Sequence, residues 1–181
     1  KGRGLHFEGT LVKTVAEEFG IKIYQPQNIN TDEAVKLFRD LNPDLFIVIS
    51  YGQILSREIL DIPKIFCLNV HASSLPKYRG AAPINWAIIN GEKTTGITII
   101  KMTEKMDAGV IILQKTIEIK DDDTAVTLEG SLSKVAAELL FDSLKAIENK
   151  HYQLTVQDER GVSFAPKLKK EDGLINWNKS A

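Results

Sequence analysis

Residues 65–86 read I-F-C-L-N-V-H-A-S-S-L-P-K-Y-R-G-A-A-P-I-N-W, an apolar run that turns polar at Asn69 and His71 and then enters a loop. Side chains two residues apart in a strand point to the same face, so the amide and the imidazole leave the strand together. Ligands of open α/β sheets bind at the carboxyl ends of strands. Because buried polar groups without partners cost free energy, the stretch predicts a binding site at this edge.

Strand and helix patterns alternate on both sides of this stretch. An alternating pattern over Val110–Ile119 is typical of an antiparallel or edge strand. The alternation as a whole predicts an α/β fold with a mostly parallel sheet covered by helices on both faces. The other predicted strands are Ile21–Tyr24, Leu45–Ile49, Ile65–His71 and Thr95–Met102, and the main predicted helices are Thr10–Phe19, Thr31–Leu41, Ile54–Leu60, Ile84–Asn90 and Thr124–Asn149.

The composition restricts the class of protein. The chain has 181 residues, a formal net charge of −1, 43% hydrophobic and 26% charged residues, which argues against disorder and against a polycationic nucleic-acid binder. Its one cysteine, Cys67, lies in the apolar strand, and we expect it to pack as a small hydrophobe. No run is long enough for a membrane span and no leader pattern opens the chain, so we expect a cytoplasmic monomer without a membrane partner.

The two ends of the chain differ from its middle. The sequence opens with a basic, loop-like stretch containing two glycines, where an α/β domain ordinarily opens with a strand. The periodic pattern weakens after Lys150. We therefore predict a domain over residues 1–150, in which either a loop leads the fold or an upstream element is absent, and an extended segment over residues 151–181 that leads away from it.

Asn69 and His71 need an acid to form a catalytic set, and Asp107 is the natural candidate, in a loop after a strand and beside small residues. Each of the three residues alone has an ordinary structural explanation. Together they suit acyl transfer without a covalent intermediate: the amide stabilises an oxyanion, the imidazole moves a proton and the carboxylate orients the imidazole. Phosphate loops, metal-ligand spacings and G-x-S-x-G motifs do not occur in the sequence, so no metal is expected.

The sequence also resembles a known family. The motif N-V-H-A-S-S-L-P-K-Y-R-G-A-A-P-I-N-W, followed by T-G-I-T-I-I-K-M-T-E-K-M-D-A-G, is similar to the 10-formyltetrahydrofolate-dependent formyltransferases, and most closely to those that formylate methionyl-tRNA. The likeness runs from G-R-G at residues 2–4 through Y-G-Q-I-L at residues 51–55 to the end of the chain. It implies a Rossmann-like formyltransferase fold, with Asn69, His71 and Asp107 as the catalytic residues. It also implies that the domain over residues 1–150 lacks the family's first strand and helix, and that residues 151–181 are a linker towards a C-terminal domain.

The resemblance also implies binding sites. A formyl group would pass from 10-formyltetrahydrofolate to the α-amine of initiator methionyl-tRNA, in translation initiation. Arg3 and Arg79 would contact the tRNA, and a guanidinium group is well suited to phosphate. The folate would lie between the loop that ends at Asp107 and two segments whose residues are implied to contact it: Tyr51, Gly52, Gln53, Ile54 and Leu55, and then Ser73, Ser74, Leu75 and Pro76.

Three alternatives stay open at this point. The same chemistry could act on another amine, such as an amino-sugar nucleotide or glycinamide ribonucleotide. Water could replace the amine, giving a hydrolase that releases formate. The chain could also be a non-catalytic module that binds folate or another small molecule.

Overall fold

The computed structural model describes residues 10–174 and residue 177. Two short 3₁₀ turns, at Glu159–Gly161 and Lys170–Gly173, follow the last helix. The helices are α1 (Leu11–Glu18), α2 (Asp32–Asp40), α3 (Arg57–Leu60), α4 (Pro83–Ile89) and α5 (Ala125–Glu148). The strands are β1 (Leu45–Val48), β2 (Phe66–His71), β3 (Arg79–Gly80), β4 (Thr94–Lys101), β5 (Ile111–Glu118) and β6 (Phe164–Ala165).

The main sheet is mixed, whereas the sequence predicted a mostly parallel one. Its four strands lie in the order β1-β2-β4-β5. Only β1 and β2 run parallel, because β4 pairs antiparallel with both β2 and β5. A short loop is enough to join antiparallel neighbours such as β4 and β5, which explains why no helix separates them. The predicted antiparallel edge strand, β5, is confirmed.

The predicted strand at Ile21–Tyr24 is wrong, since these residues form no strand in the described structure. A strand requires a neighbour for its backbone N–H and C=O groups. Among the described residues β1 pairs only with β2, and Ile21–Tyr24 does not extend the sheet.

Helices cover both faces of the sheet, as predicted. On one face, α4 and α5 pack over β2, β4 and β5 in a core that includes Leu68, Ile97 and Ile99. On the other face, Val35 of α2 and Ile59 of α3 pack against alternate side chains of β1. The buried residues of α5 are four or seven positions apart, as on one face of a helix. They are Leu128, Leu132, Leu139, Ser143 and Ile147.

The segment after α5 differs from the predicted linker. Residues 152–166 lie on the domain instead of leaving it. The Tyr152 ring packs edge-on against Phe66 with 6.1 Å between the ring centroids, and Thr155 forms a β-bridge with Ile111. Further on, β6 pairs in parallel with β3, and the Trp86 indole donates a hydrogen bond of 2.7 Å to the Pro166 carbonyl. The function of the chain beyond this point as a linker stays a prediction.

Within residues 10–174, no helix combines the length and the apolar character that crossing a membrane requires.

Cys67 is buried, as predicted, with 2% of its surface exposed, and its Sγ lies 3.5 Å from the Leu60 carbonyl oxygen. Burial first, and then the charge of Asp61, raise the pKa of this thiol from 9.0 to about 12. Between these values the unfolded chain loses the thiol proton while the folded chain keeps it, so stability falls as the pH rises.

We therefore expect the stability advantage of the native protein over a Cys67→Ala variant to shrink by about 1.4 kcal/mol between pH 8 and pH 10. Denaturant unfolding of both proteins at the two pH values measures this difference. The alanine variant is the control, because it shares every other titrating group with the native protein. If the free energy of unfolding depended on pH equally in the two proteins, the raised pKa of Cys67 would be contradicted.

Candidate functional site

The structure brings together the three residues predicted to carry the chemistry. Asn69 and His71 lie on the same face of β2, at its carboxyl end, and the loop between β4 and β5 places Asp107 beside them. The Asn69 amide donates a hydrogen bond of 3.0 Å to Asp107 Oδ1. Nδ1 of His71 lies 3.5 Å from Asp107 Oδ2. The three side chains therefore meet as predicted, although the loop that carries Asp107 follows a strand antiparallel to β2 and not a parallel one.

Both carboxylate oxygens of Asp107 accept hydrogen bonds. Oδ1 accepts from Asn69, and Oδ2 accepts a hydrogen bond of 2.9 Å from the backbone N–H of Gly80. The side chain is 11% exposed. Its backbone has φ of +49°, in the left-handed region that residues with a Cβ seldom adopt. The carboxylate is therefore fixed in position by groups from β2 and β3 together.

The hydrogen bonds of His71 identify which ring nitrogen can move a proton. Nε2 lies 2.9 Å from the backbone carbonyl oxygen of Tyr78. A carbonyl oxygen only accepts, so Nε2 carries the hydrogen and donates it. Nδ1, which faces Asp107, is the nitrogen that remains free to gain or lose a proton.

Asn69 retains one unused donor. A side-chain amide has two N–H groups, and only one of them is bonded to Asp107. Within the described part of the chain, the other has no protein acceptor. Because Asn69 lines a cavity, this N–H is available to an oxygen atom of a ligand.

The three residues line a cavity of about 750 Å³ that opens to solvent. All five residues of the first predicted folate segment, Tyr51–Leu55, also line it. Thr103, Glu104 and Met106, in the loop that the family resemblance placed beside the folate, line it as well. Two further parts of the wall were missed by the sequence reasoning: Gly80–Asn85, from β3 into α4, and Ala125, Val126 and Glu129 of α5.

The second predicted folate segment, residues 73–76, does not line this cavity in the described structure. Ser73 is fully buried and its hydroxyl donates to the Lys77 carbonyl oxygen at 2.7 Å. The Thr98 hydroxyl donates to the Ser73 carbonyl oxygen and accepts from the Leu75 N–H. The segment is thus fastened to β4 by hydrogen bonds, and its role in folate binding stays a prediction.

Arg79 is buried, with 2% of its side chain exposed, whereas its predicted role was contact with tRNA. Its guanidinium donates to Oε1 of Gln157, at 3.0 Å from Nε and 2.8 Å from Nη2, and also to Glu159 at 3.0 Å. The hydrogen bond from Arg79 lowers the pKa of the Glu159 carboxyl below its ordinary value. The Arg79 guanidinium is therefore hydrogen-bonded to residues of the protein itself. Arg3, the other residue assigned to tRNA, lies outside the described residues.

The charged residues of the cavity wall are acidic. Glu104, Asp107 and Glu129 contribute carboxylates, and no lysine or arginine lies among the described residues that line it. Such a wall favours a ligand with an amino group over one that presents bare phosphate. No group of three histidine, cysteine or acidic side chains in residues 10–174 is arranged to hold a metal ion.

The chain is similar in sequence to proteins of known function. A family model described as formyl transferase matches residues 2–144. Methionyl-tRNA formyltransferase of Thermodesulfovibrio yellowstonii is 48% identical over 182 residues, which cover 100% of this chain and 58% of that protein. The corresponding enzyme of Acetivibrio thermocellus is 49% identical over 181 residues, again 100% of this chain and 58% of the relative. The chain thus spans somewhat more than half the length of these relatives.

A solved structure has the same fold. The formyltransferase PseJ from Anoxybacillus kamchatkensis, in complex with UDP-4,6-dideoxy-4-formamido-L-AltNAc and tetrahydrofolate, superposes with a TM-score of 0.71 at 25% identity. The superposition covers 92% of this chain and 85% of PseJ. The predicted formyltransferase fold is thereby confirmed. From the family match over most of its length and the fold it shares with PseJ, the chain belongs to the formyl transferase family.

Proposed function

We propose that the full-length protein transfers a formyl group from 10-formyltetrahydrofolate to the α-amine of methionyl-tRNA. The observation that carries the proposal is the meeting of Asn69, His71 and Asp107 at one end of β2, on the wall of a cavity. An amide donor, a nitrogen able to exchange a proton and a fixed carboxylate are the groups that direct acyl transfer between nitrogen atoms requires.

The proposed roles follow from the hydrogen bonds of the three residues. The neutral amine attacks the formyl carbon, and the free N–H of Asn69 donates to the oxygen as its negative charge develops. Nδ1 of His71 takes a proton from the attacking nitrogen, and Asp107 stabilises the imidazolium that results. The bond from the formyl carbon to the folate nitrogen then breaks, the His71 imidazolium gives its proton to that nitrogen, and the products are an N-formyl amine and tetrahydrofolate.

Folate as the formyl donor is supported by two features. Tetrahydrofolate is present in the PseJ complex, whose fold this chain shares. The cavity has a volume of about 750 Å³, within the usual range for small-molecule sites, and Tyr51–Leu55 form part of its wall beside the catalytic set.

Methionyl-tRNA as the acceptor is supported by relatives named methionyl-tRNA formyltransferase that are 48% and 49% identical over the whole of this chain. An amino-sugar nucleotide is the second candidate acceptor, because PseJ carries a formylated sugar nucleotide on the same fold. PseJ is only 25% identical to this chain, well below the identity of the methionyl-tRNA formyltransferases. The acidic cavity wall suits the amino group of either acceptor.

The test uses the full-length protein with 10-formyltetrahydrofolate and offers methionyl-tRNA, an amino-sugar nucleotide and water as acceptors in separate reactions. We expect formyl transfer to methionyl-tRNA, measured as formyl-methionine after deacylation, to be the fastest. Faster transfer to the sugar nucleotide would favour the second candidate, and release of formate alone would indicate a hydrolase. Binding of folate without any turnover would indicate a binding module.

A further inference from the structure

Gln157 lies in the segment after α5 and connects that segment to the Asp107 loop. It is 5% exposed. Its Nε2 donates hydrogen bonds of 2.8 Å to the Asp107 carbonyl oxygen and 2.7 Å to the Gly109 carbonyl oxygen. Both hydrogens of the amide are therefore bonded to the backbone of one loop, on either side of Ala108.

Arg79 fixes the orientation of that amide. Oε1 of Gln157 accepts from both Nε and Nη2 of Arg79. A guanidinium group only donates and the two carbonyl groups only accept, so a flipped amide would face like groups on both sides. The buried arginine thus allows one orientation of Gln157, the one that binds the Asp107 loop.

β3, the strand that contains Arg79, also holds the carboxylate of Asp107. Gly80 follows Arg79 in β3, and its N–H donates to Asp107 Oδ2 at 2.9 Å. β3 in turn pairs with β6, which lies a few residues beyond Gln157. The backbone and the side chain of Asp107 are therefore fastened to one unit, made of β3, β6 and the segment that carries Gln157.

Asp107 needs this support because of its backbone conformation. With φ of +49°, it occupies a region disfavoured for a residue with a Cβ. Such conformations persist where surrounding contacts fix them. The preceding part of the loop, residues 103–106, is exposed and supplies little packing.

We propose that Gln157, oriented by Arg79, is a positioning residue that holds Asp107 against Asn69 and His71. Its effect on catalysis rests on the proposed function. Neither Gln157 nor Arg79 touches the reacting atoms. The buried Arg79 acts on the site only by orienting Gln157. The segment after α5 in this way supports the site without lining it.

The kinetic test compares Gln157→Leu with Gln153→Leu in the full-length protein. Gln153 lies in the same segment with an exposed side chain, so the chemical change is matched. We expect Gln157→Leu to lower kcat for formyl transfer about 100-fold with little change in KM for the folate, because misplacing a catalytic group by about 1 Å has an effect of that size. Gln153→Leu should leave kcat unchanged.

A double substitution separates positioning from general destabilisation. If Gln157 acts through Asp107, adding Gln157→Leu to an Asp107→Asn variant will change kcat by less than about twofold. Fully additive losses would overturn the proposal. Gln157→Glu provides a variant in which Arg79 keeps its acceptor, while the two loop carbonyl groups lose their donors, and we expect the same loss of kcat.

Amide hydrogen exchange gives a readout that does not depend on turnover. The Gly80 N–H is bonded to the Asp107 carboxylate, so displacing Asp107 in Gln157→Glu should speed its exchange about tenfold. Exchange at Ile99, in the centre of the sheet, should stay unchanged. Unchanged exchange at Gly80 would overturn the positioning role even if formyl transfer is confirmed. If the native protein transfers no formyl group, the proposed function fails while this measurement still decides the role of Gln157.

Discussion

Replacing His71 with alanine in the full-length protein will lower kcat for formyl transfer about 1,000-fold, the middle of the range for loss of a general acid or base. Nδ1 is the nitrogen of His71 that can exchange a proton, because Nε2 donates to the Tyr78 carbonyl oxygen. The measurement is steady-state transfer to the best acceptor at saturating folate. Folate binding should persist, since the wall formed by Tyr51–Leu55 is untouched.

The matched control is His151→Ala, which removes an exposed imidazole just after α5. It should retain native kcat, and thermal unfolding should find both variants folded. Activity near the native level in a folded His71→Ala protein would remove His71 from the mechanism and leave Asn69 and Asp107 without the proposed proton carrier.

Replacing Gly109 with alanine will lower the free energy of unfolding by about 3 kcal/mol, at the upper end of the usual range for overpacking. A Cβ at this position would collide with the Lys101 carbonyl oxygen, which is backbone and has little freedom to move. The neighbouring bond from the Lys101 N–H to the Val110 carbonyl oxygen closes the β4–β5 loop at this point. Denaturant unfolding measures the loss, and activity should fall with it because Gly109 carries one of the two carbonyl groups bound by Gln157.

Gly130→Ala is the control with the opposite sign. Gly130 lies within α5 with open space around the position of a Cβ. Alanine there should raise the free energy of unfolding by about 0.5 to 1 kcal/mol, because glycine is a poor helix former. A similar loss in both variants would show that the close approach at Gly109 is not the cause.

The shared face of Asn69 and His71 was predictable, because side chains two residues apart in a strand point the same way. Asp107 was expected beside them because loops after parallel strands meet at one edge of a sheet. In the structure β4 runs antiparallel to β2 and ends beside Cys67, so the path of its loop, and not strand direction, brings Asp107 to Asn69. The direction of β4 was not predictable in this way. A strand buried on both faces has the same continuous apolar pattern whether its neighbours run parallel or antiparallel, and most of β4 is buried.

The burial of Arg79 was missed because a charged loop residue is ordinarily exposed. Its partner, Gln157, is separated from it by 78 positions, in a segment without apolar periodicity. That segment is held largely by hydrogen bonds and a short strand pair, which leave no repeating pattern in the sequence. The same reason accounts for residues 73–76, whose burial depends on bonds to Thr98.

The pairing of β3 with β6 has a consequence for exchanging parts between formyltransferases of different acceptor preference. A crossover placed directly after α5, at Lys150, would join a foreign Gln157 and a foreign β6 to the native Arg79 and Gly80. Such a chimera would mix the two halves of one hydrogen-bonded unit. A crossover after Pro166 inherits the whole unit from a single parent, so any altered acceptor choice could then be traced to the exchanged part.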